Sequence, residues 1–107
     1  MSITEQIKQI KDDKNAIILA HYYVADEVQE VADYIGDSYY LSKVAKGTDA
    51  DIIVFCGVSF MGESAAILNP GKKVLMPDAQ ADCAMAHMAD LEKIAKMREK
   101  YEDLAVV

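Results

Sequence analysis

The chain lacks most of the short motifs that assign a chemistry at sight. It has no glycine-rich dinucleotide fingerprint, no phosphate-loop sequence, no CxxC pair and no HExxH. Nucleotide binding, dithiol redox chemistry and zinc-protease chemistry therefore have no local support. No apolar run approaches the roughly 20 residues of a membrane-spanning helix, and residues 1–13 hold no apolar signal-peptide core. No membrane partner is expected, and the expected location is the cytoplasm. Lysine and arginine nowhere cluster with aromatics, and the formal charge of -7 repels a phosphate backbone, so no nucleic acid partner is expected either. There are two cysteines, Cys56 and Cys83. Cys56 falls inside an apolar strand pattern, and a reducing compartment favours two free thiols. Linkers, low-complexity tracts and internal sequence repeats are also missing.

What is present is an ordinary globular composition. The 107 residues are 52% hydrophobic and 27% charged, which suits one domain with one core. The run Ala16-Ile17-Ile18-Leu19-Ala20 has no polar break and is followed at once by His21, Tyr22 and Tyr23. A short continuous apolar run reads as a strand buried on both faces, as a parallel sheet covered by helices requires. Further strands are expected at 52–56, 74–76 and 104–107. Helical spacing of apolar residues predicts helices over 3–13, 25–35, 39–46, 60–68 and 89–101, with an elbow at Gly36-Asp37-Ser38 joining the second and third. Alternating strands and helices imply an α/β fold, a three-layer α/β/α domain on a four-stranded parallel sheet. The apolar stretch at 104–107 has no polar exit, and it is expected to belong to a longer protein, of which this is the first domain.

In such a fold the carboxyl ends of the strands share one edge, where ligands bind. That edge would collect His21 and Tyr23, Gly57 and Ser59, and the segment 78–83. Each has a plain structural alternative: a loop histidine bonded to backbone, tyrosines that pack, and Ser38 as an ordinary helix cap instead of an anion holder. Cys83 is more informative, because a thiol in a polar loop has no packing role and suits metal or cluster ligation. His87, four residues on, would share a helical face with it and make half a zinc site. From the residues alone the reading stops at an α/β domain with a polar strand-end cleft and one notable cysteine.

Six segments together carry a resemblance. They are Leu19-Ala20-His21-Tyr22-Tyr23 with Glu27-Val28-Gln29, then Ile35-Gly36-Asp37-Ser38, the run from Phe55-Cys56-Gly57-Val58-Ser59-Phe60 to Met61-Gly62-Glu63, Ile67-Leu68-Asn69-Pro70, Leu75-Met76-Pro77-Asp78, and the Cys83 segment. In this order they resemble the quinolinate synthase family, across the chain from about Ile7 to Val107. The resemblance implies the first of three similar α/β domains around a central [4Fe-4S] cluster. It implies condensation of iminoaspartate with dihydroxyacetone phosphate to quinolinate, in de novo NAD biosynthesis. Cys83 matches one of three cysteine ligands that leave one iron open. His21 matches the histidine that binds substrate carboxylate and assists proton transfer, Tyr23 the tyrosine that closes over substrate, and Ser38 the serine that holds a substrate carboxylate. The chain departs from the family in Ala81-Asp82 before the cysteine and in His87, where many members have glycine, and asparagine or aspartate. The family's other two cysteines and its second catalytic histidine and glutamate have no match here, so the chain alone is expected to be inactive and largely cluster-free. The remaining two domains of the enzyme are its expected partners. The alternatives from other classes are a non-catalytic α/β module binding a carboxylate or a partner protein, and a small metal-binding domain using Cys83 and His87.

Overall fold

In a computed structural model, residues 2–107 are described. Helix α1 (Ile3–Lys14) opens with a capping box, the Ser2 hydroxyl accepting from the Glu5 amide and the Glu5 carboxylate accepting from the Ser2 amide. It closes on Asn15 in the left-handed conformation, which asparagine tolerates. Strand β1 (Ala16–His21) follows, buried along almost its whole length. Then come α2 (Asp26–Val31), β2 (Tyr34–Gly36), α3 (Ser38–Gly47), β3 (Ile52–Cys56), α4 (Ser59–Leu68), β4 (Lys73–Leu75), a 3-10 turn (Ala84–Met88) and α5 (Leu91–Lys100).

The sheet is parallel throughout, in the order β2-β1-β3-β4. Alternation along the two central strands feeds two cores, one on each face. Ile17 and Leu19 of β1 join Ile53 and Phe55 of β3 under α3 and α4, with Leu41, Ala45, Met61 and Ala65 closing that side. Ile18, Ala20 and Cys56 face the other way, against Ile7 of α1 and Val28 of α2. The three-layer α/β/α architecture with four parallel strands is therefore present.

Two of the expected elements differ. Residues 25–35 do not form one helix: α2 ends at Val31, Ala32 is extended, and Tyr34–Gly36 pairs with β1 in the register His21↔Gly36. The apolar spacing that reads as helix is shared with a short aromatic and β-branched edge strand, which the open edge of β1 recruits. Asp33 makes the switch. Its amide donates to the Ile18 carbonyl at 2.8 Å, its carboxylate accepts the Ile18 amide at 2.8 Å, and the same carboxylate pairs with Lys11 of α1 at 2.7 Å. A side chain thus extends the ladder by one step and clips a helix to the sheet. The second difference is at 104–107, which pairs with no strand and stands outside the sheet ladder that extended backbone needs. The fourth strand is β2, formed where a helix was expected.

Candidate functional site

All four strands run the same way, so their carboxyl ends meet on one edge. His21 ends β1 and is 7% exposed. Its Nδ1 accepts the Tyr23 amide at 3.2 Å, within a turn closed by the Val24 amide on the His21 carbonyl at 3.0 Å. An engaged acceptor at Nδ1 puts the proton of the neutral ring on Nε2, which has no hydrogen-bond partner among the described residues. The histidine is thus both a loop residue bonded to backbone and a ring with a free donor.

Tyr22 stacks on His21 with ring centroids 4.6 Å apart and planes at 21°. Tyr23 lies tilted against both rings, at 4.8 Å and 4.5 Å, and is 81% exposed. The Tyr23 phenol beside it, through hydrogen bonding and then charge, holds the Tyr22 hydroxyl above the usual phenol range, with Asp37 adding in the same sense. Tyr22 stays a donor at neutral pH. Gln29 of α2 organises this turn from behind, its amide donating to the carbonyls of Tyr22 at 3.1 Å and Val24 at 2.9 Å.

The β2 end lies alongside, since the Tyr22 amide donates to the Gly36 carbonyl at 3.1 Å. Asp37, not Ser38, caps α3, its carboxylate accepting the Tyr40 amide at 2.7 Å. Ser38 is the first helical residue, half-buried, and its hydroxyl has no partner among the described residues. The free hydroxyl thus stands at a helix start, with the Asp37 carboxylate at its border. A Cβ on Gly36 would lie 2.3 Å from the Tyr40 ring, so a larger residue there must push that ring aside.

At the β3 end, α4 has no side-chain cap. The Ala81 carbonyl supplies one, accepting the Ser59 amide at 2.8 Å. This brings in the segment after β4. Asp82 accepts the Cys83 amide at 2.8 Å and the Ser59 hydroxyl at 3.5 Å on one oxygen, and His87 Nε2 lies 2.6 Å from the other. The His87 contact, followed by the Cys83 amide, holds the Asp82 carboxyl below the usual carboxylate range. Cys83 is a half-buried free thiol, whereas Cys56 is buried and free, its pKa pushed up by burial.

The structure thus gathers His21, Tyr23 and Ser38 at neighbouring strand ends and puts Cys83 on the same edge by way of Ser59. No hydrogen bond or ring contact joins Cys83 to His21 among the described residues. The turn after Cys83 is 3-10, with three residues per turn, so residues four apart do not share a face. His87 turns to Asp82 instead of beside Cys83, and the geometry does not pair the two as zinc ligands. Ser59 and Asp82 fall on the edge expected from the sequence, where no role was assigned to them, whereas Gln29 was not expected there. Gln29 lies in one of the quoted segments, but nothing local marks it as bonded to carbonyls five and seven residues away.

A three-layer parallel α/β domain with histidine, tyrosine, serine and cysteine converging on its strand-end edge defines the class: a site-bearing α/β domain of the kind that builds enzymes. Residues 5–107 match the family described as NadA, quinolinate synthetase A protein, and the chain belongs to that family. It is similar to the quinolinate synthase of Clostridium acetobutylicum, 59% identical over 106 residues, and to that of Fusobacterium nucleatum, 57% identical over 103. The quinolinate synthase of Clostridioides difficile is 55% identical over 105 residues. These alignments take in 96% to 99% of this chain but 34% to 35% of the relatives. The chain thus spans about a third of the length of the curated relatives it matches.

Proposed function

We propose that this chain supplies one wall of a quinolinate synthase site that condenses iminoaspartate with dihydroxyacetone phosphate in NAD biosynthesis. One observation carries the reading. His21 sits almost wholly buried at a strand end, with Nδ1 held by backbone and Nε2 left to donate, one strand away from the unpartnered hydroxyl of Ser38. Two substrates with carboxylate and phosphate groups suit such donors. His21 Nε2 would hold a substrate carboxylate and pass a proton, since an imidazole can both donate and accept one. Ser38 would hold a second carboxylate oxygen at the start of α3, and Tyr23, exposed and hinged on the turn, would cover the bound substrate and exclude water.

Cys83 fits one ligand position of a [4Fe-4S] cluster: its thiol is free, part-exposed and carried on the site edge by a segment fixed to α4. When bound, an open iron of such a cluster supplies Lewis acidity toward substrate oxygen and nitrogen. Among the described residues no three ligand-type side chains gather as a metal site, so this chain contributes one donor to a set that other domains would complete. The chain alone is expected to form no quinolinate.

The test uses the full-length enzyme. His21→Gln is expected to abolish quinolinate formation while iron content and cluster absorbance stay unchanged, and Cys83→Ala to lose the iron. Retained turnover in the first variant, or unchanged iron in the second, removes the corresponding residue from the site.

A further inference from the structure

The carboxylate of Asp82 has three neighbours, Ser59 on α4 and Cys83 and His87 on its own segment, and none of them belongs to the substrate-binding residues proposed above. Cys83 lies next to it in the chain, Ser59 opens α4, and His87 ends one turn further on. Beside this carboxylate runs one backbone bond, from the Ser59 amide to the Ala81 carbonyl at 2.8 Å. Otherwise the segment is lightly held. Residues 84–90 are exposed, Met85 and Met88 are about three-quarters exposed, and no described helix packs over them. Few apolar contacts with few bonds is the pattern of a segment that opens locally at low cost.

We propose that Ser59 and Asp82 form a latch that holds the Cys83 segment against the start of α4, with Asp82 as its positioning residue and His87 bracing it from within the segment. The Ser59 amide and the Ala81 carbonyl set where the segment crosses the strand-end edge. Asp82 then turns the chain so that its own carboxylate takes the next amide, that of Cys83, and His87 closes the far oxygen. The half-buried cysteine is therefore positioned by polar bonds to α4, since the residues that follow it are exposed and add little packing. The functional meaning of the latch rests on reading Cys83 as a cluster ligand; the latch itself does not.

Three substitutions in the 107-residue chain separate the bonds. Ser59 is the first residue of α4, where proline is tolerated, and Val58 before it is extended at φ -87° and ψ 162°, as a residue preceding proline must be. Ser59→Pro thus deletes both the amide bond to Ala81 and the hydroxyl bond to Asp82, and leaves the helix. Asp82→Ala deletes the carboxylate from an exposed position. Asp82→Asn keeps an oxygen for the Cys83 amide and offers its NH2 to the other tautomer of His87.

Amide exchange at Cys83, and alkylation of the Cys83 thiol with Cys56 as the buried reference, report whether the segment is held. Asp82→Ala is expected to raise both by about tenfold, the size of one lost charge-assisted bond, and Asp82→Asn to restore exchange to near the parent value. Ser59→Pro is expected to raise alkylation similarly with an unchanged thermal midpoint. Exchange and alkylation unchanged in Asp82→Ala, or an asparagine variant as open as the alanine one, would overturn the latch, and this holds even if the proline variant does not fold. Iron content of full-length Cys83→Ala is a separate readout, so a failed latch and a failed ligand assignment give different results.

Discussion

Cys56 and Gln29 show how single side chains act here through where they sit. Burial on the sheet face disfavours the Cys56 thiolate, so its pKa is raised. A group raised in the fold contributes stability that is whole below its unfolded pKa and is lost as pH rises through the folded value. Urea midpoints are therefore expected to fall on moving from neutral into the alkaline range. Cys56→Ala is expected to flatten that fall, while Tyr22, raised in the same sense, keeps some slope. Identical pH profiles for parent and variant would show that the thiol carries none of it. Gln29→Ala removes two bonds to the His21–Val24 turn. The expected cost is about 1–2 kcal/mol, with faster exchange of the Val24 amide and, in the full-length enzyme, reduced turnover at unchanged iron content. Neither effect was legible in the sequence. Periodicity places Cys56 in a strand, but the bonds of Gln29 exist only once α2 lies behind the turn.

At the scale of elements, β1 and β3 were legible because each is a short unbroken apolar run, and α1, α3, α4 and α5 because their apolar spacing is helical. The errors sit at 32–36 and 104–107, and both concern ladder pairing. Whether Tyr34–Gly36 is helix or strand depends on whether an edge of β1 is open beside it, and the residues themselves do not carry that information. Asp33 is the local expression of the outcome. Asp33→Ala leaves the amide of buried Ile18 without its acceptor, an expected loss of about 1–3 kcal/mol. Asp33→Asn keeps an acceptor oxygen and is expected to lose less, since the partly exposed pair with Lys11 is itself worth about 0–1 kcal/mol. Equal destabilisation by both, measured in denaturant, would place the energy in the ion pair instead.

The whole molecule is long for its size. Its extents are 61 × 27 × 19 Å and its radius of gyration is 17.1 Å, against about 13 Å for a compact chain of this length. The excess comes from α5 and the residues after it, which stand off the sheet: Leu91 is 80% exposed, and Met97 and Tyr101 are about half exposed. On the α1 and α2 face an apolar cavity of about 530 Å³ opens over Ile18, Val54 and Cys56. Small-angle scattering of the isolated chain is expected to give a radius near 17.1 Å, and a value near the compact figure would mean that α5 folds back.

The sequence by itself determined the α/β class, the two central strands and the family. Unbroken apolar runs have one stable place, and 107 residues of ordered motifs are specific. Tertiary structure alone decided which segment became the fourth strand, that Asp37 caps α3, and that the Ser59 amide and hydroxyl meet the Ala81 carbonyl and the Asp82 carboxylate. Each of these is a hydrogen bond or ladder between residues distant in the chain, or a choice between adjacent acceptors. Such partners are selected by three-dimensional proximity, which local residue pattern does not encode.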